Sequence, residues 1–266
     1  MLRTITLKTL RDQRRSLPAW LLGIVALVAM YAAVFPSVSK SNDYATIMQQ
    51  MPEAYKALFT VGGGDLSTPT GYLNTELMTL MAPLLVLLYA ITAGANSIAG
   101  EEDRHTLDLL LAQPVSRTRL VLEKVAALTV GVALIVGVMG ISLVVGGALT
   151  EWRLPSSHVV AAMVQLGLLG VEYGVLAVAV GAATGHPGIA KAVPALLAVA
   201  GYLVHGLAPL VNWLDELKPV TPFRAYIGDD PLRTGLPVRW TAVLLASSVV
   251  FVIAALLAFR RRDIAT

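Results

Sequence analysis

Six apolar runs, each long enough to cross a bilayer, limit this chain to a bundle of membrane helices. Lipid offers no hydrogen bonds to a backbone that is not paired within its own helix or closed barrel. The runs cover about 17–35, 76–99, 120–149, 159–184, 190–211 and 240–259. With 56% hydrophobic residues and only 14% charged, the chain is too apolar for an ordinary soluble domain. The expected fold is therefore all-α, a single transmembrane domain without internal repeats.

The basic residues flank the apolar runs rather than forming one stripe. This argues for topology signals and against a nucleic-acid surface. Residues 1–16 space Arg3, Lys8, Arg11, Arg14 and Arg15 among Leu2, Ile5, Leu7 and Leu10, the pattern of an interfacial helix. No small-residue cleavage site follows the first run, so it is read as a span rather than a signal peptide. Thirteen of the 20 Lys and Arg fall on the side holding both ends: the five just named, Arg104, Arg117, Arg119, Lys124, Lys191 and Arg260 to Arg262. That side is expected to be cytoplasmic, with both termini on it. The segment 36–75 forms a long far-side loop with Gly62, Gly63, Gly64 and Pro69 as breakers, and 44–59 has the apolar spacing of a surface helix.

Between runs two and three lies the most charged interruption, GEEDRHTLDLLLAQPVSR at 100–117. Glu101, Glu102 and Asp103 suit a helix N-terminus, where free N–H groups and the macrodipole favour negative charge. Leu107, Leu110 and Leu111 then share one face, Arg104 and Asp108 pair at i, i+4 on another, and Pro114 ends the helix. The expectation is a two-faced helix over about 101–112, offering its Leu face and acidic start to a soluble partner. A plain solvated loop is the alternative.

These residues resemble the signature after the second span of type-two ATP-binding-cassette permeases, the exporter-type family that includes the bacitracin-resistance and nitrous-oxide-reductase maturation permeases. Gly100, Glu101, Thr106, Leu107, Leu109, Leu110, Pro114, Val115, Ser116 and Arg117 match the pattern, while His105 stands where the family often has Gly. The resemblance implies a permease subunit of an exporter in the cytoplasmic membrane, paired with a second permease copy, the same or a homologue. It makes 101–112 the coupling helix toward a separate ATPase subunit, with Glu101, Glu102, Asp103, Arg104, Thr106, Leu107, Leu110, Leu111 and Pro114 as coupling residues. It also implies a short re-entrant helix before the last span, for which 213–226 is available.

Several other chemistries lack their residues. There is no G-x-x-x-x-G-K-[ST] loop, so ATP and Mg²⁺ are expected on the partner ATPase and no cofactor on this chain. The importer-type Glu-Ala-Ala loop would need Gly where Leu107 stands. An intramembrane protease reading of Glu101-Glu102 fails at Thr106, where that motif needs Arg, and neither H-E-x-x-H nor G-x-S-x-G occurs. The four His residues are scattered, there is no Cys, and neither a metal site nor a catalytic residue is expected. The non-enzymatic rival is an assembly or sensor module that docks an ATPase without moving cargo.

Ionisable groups inside spans cost about 2.5–3.5 kcal/mol on insertion scales, so each faces a partner or a cavity. Glu172, mid-span with Tyr173 beside it and Gln165 seven residues earlier, is the candidate translocation path; a packing role is the alternative. Asn96 and His205, nearer span ends, are expected to be structural. Gly170/Gly174 and Gly181/Gly185 form small-xxx-small pairs that let another helix approach closely.

Overall fold

The computed structural model describes residues 5–14, 16–40, 50–53, 58, 65–107, 115–150 and 152–262. All of its regular structure is helical. A short helix α1 (Ile5–Asp12) precedes span one, α2 (Ser16–Ser39). Span two is built from α3 (Pro69–Leu73), a π-helical segment (Asn74–Met78) and α4 (Met81–Ser97), followed by the short α5 (Ala99–Asp103). Spans three and four are α6 (Arg117–Leu149) and α7 (Ser156–Thr184). Span five is α8 (Pro187–Leu207), followed by α9 (Asn212–Leu217), α10 (Pro222–Ile227) and α11 (Pro231–Thr234). Span six is α12 (Val238–Arg261). Six helices are thus long and apolar enough to cross a membrane, as expected. The proposed surface helix at 44–59 lies mostly outside the described residues.

Span two starts at Pro69, earlier than the expected start at Glu76, because Asn74 and Thr75 read as loop. Asn74 Nδ2 instead donates to Asp230 Oδ1 at 2.8 Å, and Thr79 Oγ1 donates to the Asn74 carbonyl at 2.7 Å. Tyr31 of span one donates to the Glu76 carbonyl at 3.1 Å. The Asn74 side chain and the Asn74 and Glu76 carbonyls are thereby paired at the wide π turn, while Thr75 Oγ1 has no partner among the described residues.

Span four is the centre of the bundle. Two thirds of its apolar window is buried, against 22% for span six, and it packs against α4, α6, α8 and α12. Its glycines explain how α4 and α6 come so near. A Cβ on Gly170 would fall 2.5 Å from Val86 Cγ1, and one on Gly174 would fall 2.8 Å from Leu128 Cδ2 and 3.2 Å from the Ala90 carbonyl. A Cβ on Gly181 would fall 3.3 Å from Ala99 Cβ and 3.5 Å from Ala190 Cβ. With no hydrophobic drive between helices in lipid, this close backbone approach supplies the association. Gly185 departs from the expected packing pair. It lies one residue past α7 at φ 70°, its N–H bonded to the Gly181 carbonyl, and terminates the helix under the Arg262 guanidinium.

The stretch 213–226 gives two short helices and a 3₁₀ turn rather than one helix, split at Thr221-Pro222. Tyr226 is buried and donates to the Met78 carbonyl at 2.8 Å, which ties this far-side cap onto span two.

Candidate functional site

The acidic triplet closes a helix rather than opening one. Span two breaks at Ile98, and α5 carries the chain one turn further to Asp103. His105 then adopts φ 53°; its N–H bonds the Glu102 carbonyl at 2.9 Å, and the Thr106 N–H bonds the Glu101 carbonyl at 2.8 Å. This bond pair around a left-handed residue is a Schellman closure. Thr106 Oγ1 adds a bond to the same Glu101 carbonyl at 3.0 Å. A helix C-terminus disfavours carboxylates, so the acids are held by cations from elsewhere. The expectation of a helix beginning at Glu101 fails because a charge triplet shows what the segment needs, not which end supplies it.

The left-handed backbone at position 105 favours Gly over any residue with a Cβ. Left-handed backbone costs a residue with a Cβ about 1–2 kcal/mol. His105→Gly should raise thermal stability by about 1 kcal/mol. Unchanged or lowered unfolding temperature would contradict the closure.

Glu101 is buried, with Oε1 2.5 Å from Lys124 Nζ and 3.7 Å from Lys8 Nζ. Lys124, itself 2% exposed, also donates to Thr9 Oγ1 at 3.2 Å. Glu102 pairs with Arg262, at the end of span six. Arg117 donates to the carbonyls of Phe259 at 3.0 Å and Arg262 at 2.7 Å. The Glu123 carboxylate accepts the Ile5 and Thr6 N–H groups at 2.5 and 3.2 Å, seating α1 on span three. One ionic cluster thus joins α1, α5, α6 and the end of α12.

The cluster redistributes the proposed coupling residues. Glu101 and Glu102 face intramolecular partners, and Leu107 is 1% exposed, so its side chain packs inside this chain and is not offered to another. Asp103, Arg104 and His105 are exposed at the tip. Leu110, Leu111 and Pro114 lie outside the described residues, as does the Asp108 partner expected for Arg104. Sequence reasoning missed Lys124 and Arg262 as the partners of the acids. A lone lysine inside an apolar helix was the available signal, since such a charge requires a carboxylate nearby.

The three candidate path residues divide between two faces of span four. Gln165 is fully buried and donates to Thr241 Oγ1 at 3.1 Å, while Glu172 faces the Ser247 hydroxyl; both partners belong to α12. Gln165 Oε1 and Glu172 Oε2 have no partner among the described residues. Tyr173 points elsewhere, donating to the Leu197 carbonyl at 3.4 Å and packing on Phe223 with ring centroids 6.4 Å apart. Glu172 and Gln165 form a polar seam that holds the least buried span onto the central one. Glu172→Leu should therefore weaken the α7–α12 contact by about 1 kcal/mol through loss of the Ser247 contact, the Ser247 hydroxyl keeping its bond to the Leu244 carbonyl at 3.0 Å, whereas Glu172→Gln should stay near wild type. Equal thermal stability of the two variants would remove the seam.

His205 is buried, with no partner for Nδ1 among the described residues, and Asn96 borders a cavity of about 380 Å³ beside Glu101. Among the described residues, no group of three or more His, Cys, Asp or Glu side chains could hold a metal ion.

No curated protein matches the chain. The family described as the C-terminal domain of the multidrug efflux system permease Rv1217c matches residues 4–260, nearly the full length and all six spans. An all-α bundle of six spanning helices, matched end to end in this way, belongs to that family of multidrug efflux system permeases.

Proposed function

We propose that this permease is the membrane half of an ATP-driven exporter, and that the turn from Ala99 to Thr106 receives the stroke of a separate ATPase subunit. The observation that carries this reading is the joint position of α5. It continues span two, is ion-paired to span three through Lys124 and to span six through Arg262, and ends in an exposed tip at Asp103-Arg104-His105. A push on that tip acts on three spans and on α1 together, because buried ion pairs and close-packed helices shift as units.

In this reading ATP and Mg²⁺ belong to the partner, and a second six-span unit, identical or homologous, completes the pathway. The description of the matched family as a C-terminal domain accords with a second unit. Both termini lie on the cytoplasmic side, as the distribution of Lys and Arg argues. The cargo is apolar or amphipathic, which follows the family's multidrug name. Cargo alternates access by biasing two states, and can do so only through unequal affinity for them.

Charge reversal at the tip tests the docking. Asp103→Arg with Arg104→Glu should leave the permease inserted and folded while reducing co-purification of the ATPase by about tenfold, the scale of one or two lost charge-assisted contacts. Undiminished co-purification would place the ATPase contact elsewhere.

A further inference from the structure

Spans three and four part on their outer side along an open groove of about 590 Å³. Its floor is closed where small residues let the two helices touch: a Cβ on Gly140 would fall 2.9 Å from Met163 Cγ, and one on Gly167 would fall 3.3 Å from Val136 Cγ2. Its rim is open. Ile141 and Val160 are exposed, and no atom of the described residues lies within 4 Å of where a Cβ on Gly137 would stand. The lining is aliphatic apart from the Thr129 and Ser156 hydroxyls at its two ends, and Thr129 Oγ1 already donates to the Val125 carbonyl at 2.9 Å. A polar occupant would lose its hydrogen bonds along such a wall, so the groove suits an apolar one.

Length and width narrow the choice. From Thr129 to Val145 the groove follows about 24 Å of α6 at 1.5 Å per residue, more than one leaflet's share of a hydrocarbon core about 30 Å thick. Spread over that length, its volume leaves a cross-section of about 25 Å², roughly a third of that of a helix about 10 Å across. A neighbouring helix is too wide to enter, while a single hydrocarbon chain is not. The end beside Ser156 adds a charge. Trp152 is fully buried on Gly146 and Gly147, where a Cβ would meet its ring at 3.0 and 2.8 Å, and its Nε1 donates to the Leu143 carbonyl at 3.2 Å. The indole thus pins the loop after α6, and Arg153 lines a second cavity of about 300 Å³ that shares Val144 and Val159 with the groove. Arg153 is exposed and has no acidic partner among the described residues.

We propose that this groove holds one acyl chain of an anionic phospholipid whose phosphate pairs with Arg153. A guanidinium presents paired N–H groups that match phosphate oxygens, and the lipid's net negative charge answers the cation. A choline headgroup brings its own ammonium beside the phosphate and so gains less. The site rests on the chain being membrane-embedded and not on transport.

The test places the full-length permease in phosphatidylcholine nanodiscs with a trace of phosphatidylglycerol or phosphatidylcholine bearing a diazirine midway along one acyl chain. After irradiation, labelled peptides are mapped by mass spectrometry. Segments 129–145 and 156–171 should be labelled about fivefold more by the phosphatidylglycerol probe, the scale of one Arg facing an anionic headgroup. Arg153→Gln should make the two probes equal there and Arg153→Lys should keep the preference, while labelling of the basic α1 stays unchanged as an internal reference. Gly137→Leu, which puts a side chain into the groove, should lower labelling of both segments by either probe. Equal labelling in the unaltered protein, a preference that survives Arg153→Gln, or undiminished labelling in Gly137→Leu overturns the proposal. So does the absence of label from both probes, since another protein surface would then cover the groove.

Discussion

Lys124→Ala should destabilise the permease by about 3–5 kcal/mol, because it strands the Glu101 carboxylate where water does not reach. Lys124 is 2% exposed and its ammonium sits 2.5 Å from Glu101 Oε1. Removing Lys124 leaves Glu101 with only the partly exposed Lys8, 3.7 Å away, whereas removing both leaves apolar contacts. Lys124→Met combined with Glu101→Leu should therefore recover most of the stability lost by Lys124→Met alone. Thermal unfolding of the two single variants and the double variant in detergent measures the coupling directly. Additive losses would mean that the pair is not the bond joining α5 to span three.

Gly174→Leu should be nearly as damaging. Its Cβ alone would stand 2.8 Å from Leu128 and 3.2 Å from the Ala90 carbonyl, and the Gly174 carbonyl is itself pressed against Gly94 of span two. Flexible Leu128 can yield, but the two backbones cannot, so span two must shift away from span four. Overpacking of this kind costs about 1–3 kcal/mol, more when backbone blocks relaxation. Gly137 is the control: it lies mid-helix in span three with no atom of the described residues within 4 Å of where a Cβ would stand, and Gly137→Leu should be tolerated. Similar losses at both positions would show that the effect comes from helical glycine in general and not from the α4–α7 contact.

What could be read from the sequence follows from which interactions are local. Spans were legible because hydropathy is summed along one segment, and the glycine spacing of span four was legible because small residues one turn apart mark a close face. The acids at Glu101 to Asp103 were misread because their partners, Lys8, Lys124 and Arg262, lie on other helices. Taken alone, the triplet looks like an N-terminus; its true position is fixed by His105, whose left-handed turn no hydropathy pattern reports. Leu107 had the spacing of a docking face, yet the chain's own spans cover it. Glu172 stood out as a candidate path or packing residue, but Ser247 lies on a later span that only the fold brings beside it.

The central claim, that this chain is the cargo-moving half of an ATP-driven exporter with α5 as its receiver, is tested most directly by flux. The permease and its ATPase subunit are co-reconstituted in inside-out vesicles, and uptake of an amphipathic fluorescent dye is followed on ATP addition. Dye should accumulate only when both subunits and hydrolysable ATP are present, and the Asp103→Arg, Arg104→Glu variant should abolish accumulation while leaving the ATPase subunit's own hydrolysis intact. A stable complex that hydrolyses ATP but moves no dye of any charge class would contradict the account and favour a module that docks the ATPase without transport.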